Sequence, residues 1–292
     1  MSSTMTPLRY PGGKSQLYDF IKNVLTLNHI NDGDQGIYIE PFAGGCGLAI
    51  KLLLKNDIQK IVINDLDPAI HAFWYNVLYH SEDLVSKISN TPISISEWEK
   101  QHSIYEKNRA DSTSLDLAFA TFFLNRTNRS GIIRGGPIGG RKQNGKYKLD
   151  CRYNKENLIK KIQAIAKQKN RISLYNLDAN ILIKNLHQYK NPNHTFCFFD
   201  PPYYNQGGNL YKNSLTNADH VRLHSNITNL KSVHWVTTYD HQETISKMYD
   251  DCVGFKYTLT YSASNKRREW EYLFTNKKTK VESFNRMKLF PI

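Results

Sequence analysis

Two turns hold the residues of this 292-residue sequence that are best suited to chemistry. The first, Glu40-Pro41-Phe42-Ala43-Gly44-Gly45-Cys46-Gly47, joins a strand-like run to an apolar helix-like run. Its glycines allow a sharp turn and a close approach of the backbone to a ligand. Asp65, 20 residues beyond Gly45, stands where an acid can accept hydrogen bonds from ribose hydroxyls. These residues indicate an adenosine-containing cofactor, and a plain tight turn with a solvent-facing aspartate explains them equally well. A nicotinamide cofactor is disfavoured, because Ile50 occupies the place of the third glycine.

The second turn is Asp200-Pro201-Pro202-Tyr203, directly after the apolar run Phe196-Cys197-Phe198-Phe199. Such a run is typical of a central parallel strand, and ligands bind outside the carboxyl ends of these strands. The prolines remove two amide donors, which leaves a rigid loop of acceptors, the Asp200 carboxylate and the carbonyls near it. Two acceptors that hold the hydrogens of a nucleobase amine would localise its nitrogen lone pair for attack. Tyr203 offers a ring on which an extruded base could stack. The alternative is an aspartate that caps the following turn.

Positive charge is concentrated in one segment. The chain has a formal net charge of +13, and residues 125–171 contain fourteen Lys and Arg against two acids. Glycines and two tyrosines are interleaved with this charge. The pattern favours a surface that binds phosphates over a merely solvated basic face. The candidate residues for binding these phosphates are Arg126, Arg129, Arg141, Lys142, Lys146 and Lys148.

The elements that must position these residues alternate between strand and helix. Strand-like runs occur at 37–39, 61–63, 172–175, 195–199, 234–237 and 272–274, and helical patterns occur at 48–54 and 158–169. This order predicts an α/β fold with a mostly parallel sheet. The alternation fails between about 70 and 170, where helices are predicted at 68–85, 96–108 and 114–127. Ser94, Ser96 and Ser114 are their candidate caps. The sequence therefore predicts a catalytic domain, 1–69 and 172–292, interrupted by a mainly helical domain, 70–171. Asn144-Gly145 predicts a basic β-hairpin in the interrupting domain.

Composition excludes several classes of protein. Apolar residues make up 40% of the chain, enough for a packed core, so wholesale disorder is excluded. No apolar run approaches the roughly 18–20 residues that cross a membrane, and the first six residues do not resemble a secretion signal. The four cysteines include no CxxC pair, so no metal site is expected. We expect a cytoplasmic protein with reduced thiols.

Four motifs together resemble the Dam-like adenine-specific DNA methyltransferases, in the group whose recognition domain lies between the glycine motif and the catalytic loop. They are Leu8-Arg9-Tyr10-Pro11-Gly12-Gly13-Lys14, Glu40-Pro41-Phe42-Ala43-Gly44, Asn64-Asp65 and Asp200-Pro201-Pro202-Tyr203. The segment 123–131 also resembles the family's entry into its recognition segment. The likeness extends from about Leu8 to Phe274. The sequence departs from the family where Cys46 replaces the last glycine of the Phe-x-Gly-x-Gly pattern, and where Tyr10 stands in place of Trp.

The resemblance implies a Rossmann-like methyltransferase sheet and S-adenosyl-L-methionine as methyl donor. The residues that it assigns to the cofactor are Tyr10, Lys14, Phe42, Gly44, Asp65, Asp178 and Asp200, and Asp178 could equally be a helix cap. Asp200 and the Pro201 carbonyl would hold a flipped adenine stacked on Tyr203 in double-stranded DNA, with no metal. A cognate restriction endonuclease is a possible partner. Three alternatives stay open: methylation of the cytosine amine, methylation of RNA, and an inactive DNA-binding protein.

Overall fold

A computed structural model describes residues 4–10, 12–188, 191–204, 215–261 and 267–292. Pro11 of the N-terminal motif lies outside the described residues. The described part is built on an eight-stranded sheet with the order β3-β2-β1-β4-β5-β7-β6-β8. The strands are β1 Ile37–Glu40, β2 Lys60–Asn64, β3 Ile172–Tyr175, β4 Thr195–Phe199, β5 His234–Asp240, β6 Val253–Tyr261, β7 Arg267–Thr275 and β8 Phe290–Pro291.

The first five strands in this order run parallel, and β7, β6 and β8 are antiparallel to their neighbours. All residues of β4 and β5 are buried, as the apolar composition of β4 predicts for a strand covered on both faces, whereas β5 also buries His234, Thr237, Thr238 and Asp240. The chain leaves β1 towards β2 and β3, and returns to pair β4 on the other side of β1. The turns after β1 and β4 therefore open into one crevice, where ligands bind in sheets of this kind.

Helices cover both faces of the sheet. They are α1 Tyr18–Leu27, α2 Gly47–Leu54, α3 Pro68–Tyr79, α4 Ser81–Asn90, α5 Ile95–Lys107, α6 Leu115–Thr127, α7 Lys155–Ala166, α8 Ala179–Lys184, α9 Asn217–Thr228 and α10 Glu243–Met248. One buried cluster joins one face of the sheet to α1–α7, and a second cluster joins the other face to α8, α9 and α10. No helix among the described residues is both long and apolar enough to cross a membrane.

The predicted α/β architecture is confirmed, and so is the mainly helical segment within it. Ser94 and Ser114 cap α5 and α6 by accepting the backbone N–H of the third helical residue, whereas Ser96 lies inside α5. The single helix predicted at 68–85 is two helices that meet at the non-helical residue His80. The helices of this segment share a buried cluster with the sheet. The domain boundaries at 69/70 and 171/172 stay a prediction.

The predicted β-hairpin around Asn144-Gly145 is wrong, because residues 138–152 form turns and no strand. Gly139 and Gly140 reverse the chain earlier, with φ of 84° and 73°. The side-chain amide of Gln143 then fixes the loop, since it donates to the carbonyls of Ile138 and Gly140 and accepts the N–H of Leu149. These contacts replace the cross-strand ladder that the Asn-Gly turn predicted.

Candidate active site

The glycine turn after β1 is shaped around Tyr10. Gly44 has φ of +46°, and a Cβ atom there would lie 2.6 Å from two atoms of the Tyr10 ring. The Trp74 indole donates a hydrogen bond to the Gly44 carbonyl at 3.0 Å. Both the backbone conformation and the close ring therefore require glycine at this position. The structure thus brings two of the predicted cofactor residues, Tyr10 and Gly44, into contact.

Asp65 is tied to the same turn from the end of β2. Its Oδ2 accepts the Gly44 N–H at 2.8 Å, and its Oδ1 accepts the Asp67 N–H at 2.9 Å. Burial raises the pKa of Asp65 to about 7, against the two backbone N–H groups that favour the ionised form. The carboxylate predicted to bind a ribose therefore lies directly beside the glycine turn, and it helps to hold that turn in place.

Glu40, to which the sequence analysis gave no role, links β1 to the start of α2 and so stabilises the turn between them. Its buried carboxylate accepts the Tyr38 hydroxyl at 2.9 Å and the Ala49 N–H, in the first turn of α2, at 3.2 Å. Burial raises the pKa of Glu40 to about 7. Cys46, the residue before α2, adopts the left-handed conformation with φ of 49°. That conformation explains why the family pattern has glycine there, and a cysteine there costs about 1–2 kcal/mol.

A cleft lies beside the turn, on the side of β2 and β3. Its described lining combines apolar and polar groups: Pro41, Phe42, Asn64, Leu66, Asp178, Ala179, Asn180, Leu215, Asp219 and Leu223. The predicted cofactor residues Phe42 and Asp178 therefore share one cleft. Asp178 also caps α8, because its Oδ1 accepts the Asn180 N–H at 2.7 Å. The capping interpretation of Asp178 is correct, and it is compatible with a place in the cleft.

Asp200 follows β4 and forms an ion pair with Lys14. The Lys14 Nζ lies 2.9 Å from Asp200 Oδ1, and the Lys14 side chain is only 3% exposed. The Thr238 hydroxyl, on the neighbouring strand β5, donates to the same oxygen at 2.9 Å. Both contacts use Oδ1 and orient the carboxylate, whose side chain is 22% exposed towards the crevice. The ion pair connects the N-terminal motif to the second turn.

The Tyr203 hydroxyl belongs to a buried polar network that the sequence did not indicate. It accepts a hydrogen bond from Lys14 at 2.7 Å and donates one to Glu271 on β7. The Tyr257 hydroxyl, on β6, donates to the other oxygen of Glu271. Burial raises the pKa of the Glu271 carboxyl, and Lys14 and the two hydroxyls oppose this rise. The Tyr203 ring, with the Lys14 Nζ 4.9 Å from its centroid, is half-buried.

The predicted DNA-binding residues divide into two groups. Arg126 is half-buried, and its guanidinium donates to the backbone carbonyls of Arg152 and Pro7, which favours a structural role. The other five are exposed, as contact with a duplex requires: Arg129, Arg141, Lys142, Lys146 and Lys148. Tyr147, among them, is 59% exposed. A contiguous segment therefore presents cations and an aromatic ring to solvent.

The fold and the site define a Rossmann-like methyltransferase. The glycine turn, the acid and the Asp-Pro-Pro-Tyr turn follow β1, β2 and β4, which are neighbouring parallel strands, so all three lie at the carboxyl edge of the sheet. The family model of the D12 class N6 adenine-specific DNA methyltransferases matches residues 10–283, and the chain belongs to this family. It is an adenine-specific DNA methyltransferase, which requires a methyl donor and DNA as its substrate.

Individual relatives were also found. The chain is 25% identical over 206 residues to the Type II methyltransferase M.MjaIII of Methanocaldococcus jannaschii. The aligned region covers 67% of this chain and 68% of the relative. Among solved structures it is similar to the rRNA methyltransferase aviRa from Streptomyces viridochromogenes. That similarity has a TM-score of 0.37 and 10% identity, over 92% of this chain and 87% of the other.

Proposed function

We propose that the protein transfers a methyl group from S-adenosyl-L-methionine to the N6 amine of an adenine that is flipped out of duplex DNA. The observation that carries the proposal is the Asp200 carboxylate, oriented through Oδ1 by Lys14 and Thr238 beside the glycine turn. An oriented acceptor at the carboxyl end of a central strand is what an amine nucleophile needs.

The residues around the turn fit the proposed cofactor. Asp65 provides acceptors for ribose hydroxyls, and the cleft beside it offers the Phe42 ring and the Leu66 side chain to an adenine. Bound S-adenosyl-L-methionine would supply an electrophilic methyl group on a sulfonium. The residues proposed to hold it are Tyr10, Lys14, Phe42, Gly44, Asp65, Asp178 and Asp200.

The catalytic loop would activate the adenine amine by accepting its hydrogens. Asp200, through Oδ2, and the Pro201 carbonyl would hold the two N–H groups, so that the nitrogen lone pair is directed at the methyl group. The amine nitrogen would take the methyl group, the sulfonium would leave as a neutral thioether, and one N–H proton would pass to Asp200 Oδ2 and from there to solvent. The Tyr203 ring would stack on the base, a contact worth about 1–3 kcal/mol.

Base flipping follows from where the amine lies in DNA. Inside a duplex, the N6 amine is paired and stacked and cannot reach a carboxylate in a crevice. The five exposed basic residues would hold the phosphates during this extrusion. The short basic run Lys266-Arg267-Arg268 is an alternative location for the duplex, and its side chains lie outside the described residues.

A transfer assay tests the proposal. Unmethylated plasmid DNA, or RNA, is incubated with the protein and S-adenosyl-L-methionine labelled in the methyl group, and the digested nucleosides are separated. We expect label in N6-methyl-2′-deoxyadenosine, from DNA alone. Label in a cytosine derivative or in RNA, or no label with well-folded protein, would contradict the proposal.

We further propose that a restriction endonuclease of the same sequence specificity accompanies the enzyme. Support comes from the name of the relative, a Type II methyltransferase. Plasmid modified by the protein should then resist cleavage by the accompanying nuclease, and equal cleavage of modified and unmodified plasmid would refute the partnership.

A further inference from the structure

We infer that Glu271 is a positioning residue for methyl transfer, because it holds the Tyr203 hydroxyl and, through it, the Lys14 ammonium against Asp200. The inference rests on the proposed function, since it concerns the same catalytic loop. It adds a residue that lies in the antiparallel part of the sheet, outside all four motifs that indicate the family.

Glu271 is placed where a carboxylate is costly without partners. It is 1% exposed, and its position in β7 pairs with Tyr257 of β6 on one side and with Asp240 of β5 on the other. Each of its oxygens accepts one tyrosine hydroxyl, Oε1 from Tyr203 and Oε2 from Tyr257. A buried carboxylate costs several kcal/mol unless such bonds compensate it. A polar network of this kind is rigid when it is fully satisfied.

Glu271 is the final acceptor in a series of hydrogen bonds, in which Lys14 donates to Tyr203 and Tyr203 donates to Glu271. A tyrosine hydroxyl has one proton, and Tyr203 gives it to Glu271. The oxygen of Tyr203 is therefore fixed as an acceptor for Lys14, whose Nζ lies 2.7 Å away. Asp200 Oδ1 at 2.9 Å, the Gly12 carbonyl at 3.3 Å and Glu271 Oε2 itself, at 3.8 Å, also face that ammonium. A glutamine at this position would leave one accepting oxygen for two tyrosine hydroxyls and would remove the negative charge 3.8 Å from Lys14, so that Tyr203 and Lys14 would no longer be held in one arrangement.

The consequence for catalysis is positional. Lys14 orients the Asp200 carboxylate, and Tyr203 belongs to the loop that receives the base. Lys14 and Tyr203 are 189 positions apart in the sequence, yet they are linked through the Tyr203 hydroxyl, which Glu271 orients. A displacement of this loop by a fraction of an ångström would misplace the acceptors of the amine, whereas Asp65 and the cleft would keep the cofactor bound.

The test is a double-mutant cycle with Glu271→Gln, Tyr203→Phe and the combined variant. We expect each single variant to lower kcat by roughly 10- to 100-fold while KM for cofactor and DNA changes by less than about threefold. Because both substitutions break the same chain, the combined variant should lose little more than the worse single one. Tyr257→Phe removes a donor to Glu271 without touching Lys14, and it should cost less than Tyr203→Phe. Glu282→Gln, which removes an exposed charge elsewhere, is the matched control.

Three results would overturn the inference: multiplicative losses in the combined variant, wild-type kcat in Glu271→Gln, or equal losses in Tyr257→Phe and Tyr203→Phe. If Glu271→Gln does not fold, judged by its circular dichroism, Tyr203→Phe decides alone, and an unchanged kcat there refutes the chain. Methylation of adenine by the wild-type protein is measured first. If the wild-type protein does not methylate adenine, the proposed function itself is refuted. If it does, and the variants retain wild-type kcat, only this inference is refuted.

Discussion

Replacing Asp65 by alanine should weaken cofactor binding far more than it slows methyl transfer. The carboxylate lies at the glycine turn, where it accepts the Gly44 N–H at 2.8 Å and the Asp67 N–H at 2.9 Å. Alanine removes the proposed acceptor of the ribose hydroxyls and also releases the turn. The ribose is remote from the transferred methyl group, so the loss should appear in cofactor affinity rather than in kcat.

The magnitude follows from the bonds that are lost. A hydrogen bond to a charged group contributes about 1.5–3 kcal/mol, and each 1.4 kcal/mol is tenfold in affinity. Loss of the ribose contact alone therefore predicts roughly a 10- to 100-fold rise in the cofactor Kd. Release of the Gly44 N–H adds to this value, because the turn must then be ordered by the ligand.

The titration of Asp65 gives the prediction a second, independent signature. Burial raises the pKa of this carboxyl from 3.8 to about 7. The ionised form accepts hydroxyl protons better, so cofactor affinity should rise between about pH 6 and pH 8. For stability the sign is opposite: the raised folded-state pKa lets the unfolded state lose its proton first, so stability falls as pH rises from about 4 to about 7.

Isothermal titration calorimetry with S-adenosyl-L-methionine at pH 6, 7 and 8 measures the Kd of the wild-type protein and of Asp65→Ala, and how each Kd depends on pH. Asp67→Ala is the control, since that carboxylate accepts the Ala69 N–H and caps α3. An unchanged Kd in Asp65→Ala, or a loss that is larger in Asp67→Ala, would show that the assignment of the ribose contact is wrong.

Other substitutions separate catalysis, turn geometry and DNA binding. Asp200→Asn should lower kcat by roughly 10²–10³ with little change in the KM for DNA, measured by initial rates of methyl transfer, because an oriented charge at the reacting amine is lost; a rate within threefold of wild type would refute its role. Gly44→Ala should lower cofactor affinity, and it should lower Tm by several degrees, because the new Cβ meets the Tyr10 ring at 2.6 Å. An unchanged Tm in differential scanning calorimetry would contradict this prediction. Reversing four exposed cations to Glu should spare cofactor affinity and flatten the slope of log DNA affinity against log salt by a few units, at about 0.9 per phosphate contact; an unchanged slope would place the duplex elsewhere. The four are Arg141, Lys142, Lys146 and Lys148.

The parallel part of the fold could be predicted because its signals are local. Apolar runs mark β1, β2 and β4, and each ends in polar or glycine residues at a fixed place relative to the crevice. The antiparallel strand β6 was missed although Phe255, Tyr257, Leu259 and Tyr261 alternate with polar residues, as in a half-buried strand. Strands were predicted from continuous apolar runs, which mark only strands buried on both faces. The hairpin failed because Gly139, Gly140 and the Gln143 side chain outweigh the local preference of Asn-Gly.

The site shows the same limit. The motifs predict functional roles for Lys14 and Asp200, but their contact at 2.9 Å is set by tertiary packing between distant segments. Glu271 gave no signal, because an acid in a strand that also contains Arg267 and Glu269 reads as an exposed residue. Its burial depends on the pairing of β7 between β5 and β6, which a local pattern does not contain.

The central claim, that Asp200 accepts the amine of a flipped adenine, is tested most directly in living cells that lack DNA methylation. The wild-type protein and Asp200→Ala are expressed at equal levels, and the host DNA is read by modification-sensitive sequencing and by mass spectrometry of its nucleosides. We predict N6-methyladenine in one sequence context with the wild-type protein and none with the variant. Methylated cytosine, or N6-methyladenine that persists in the Asp200→Ala strain, would contradict the account.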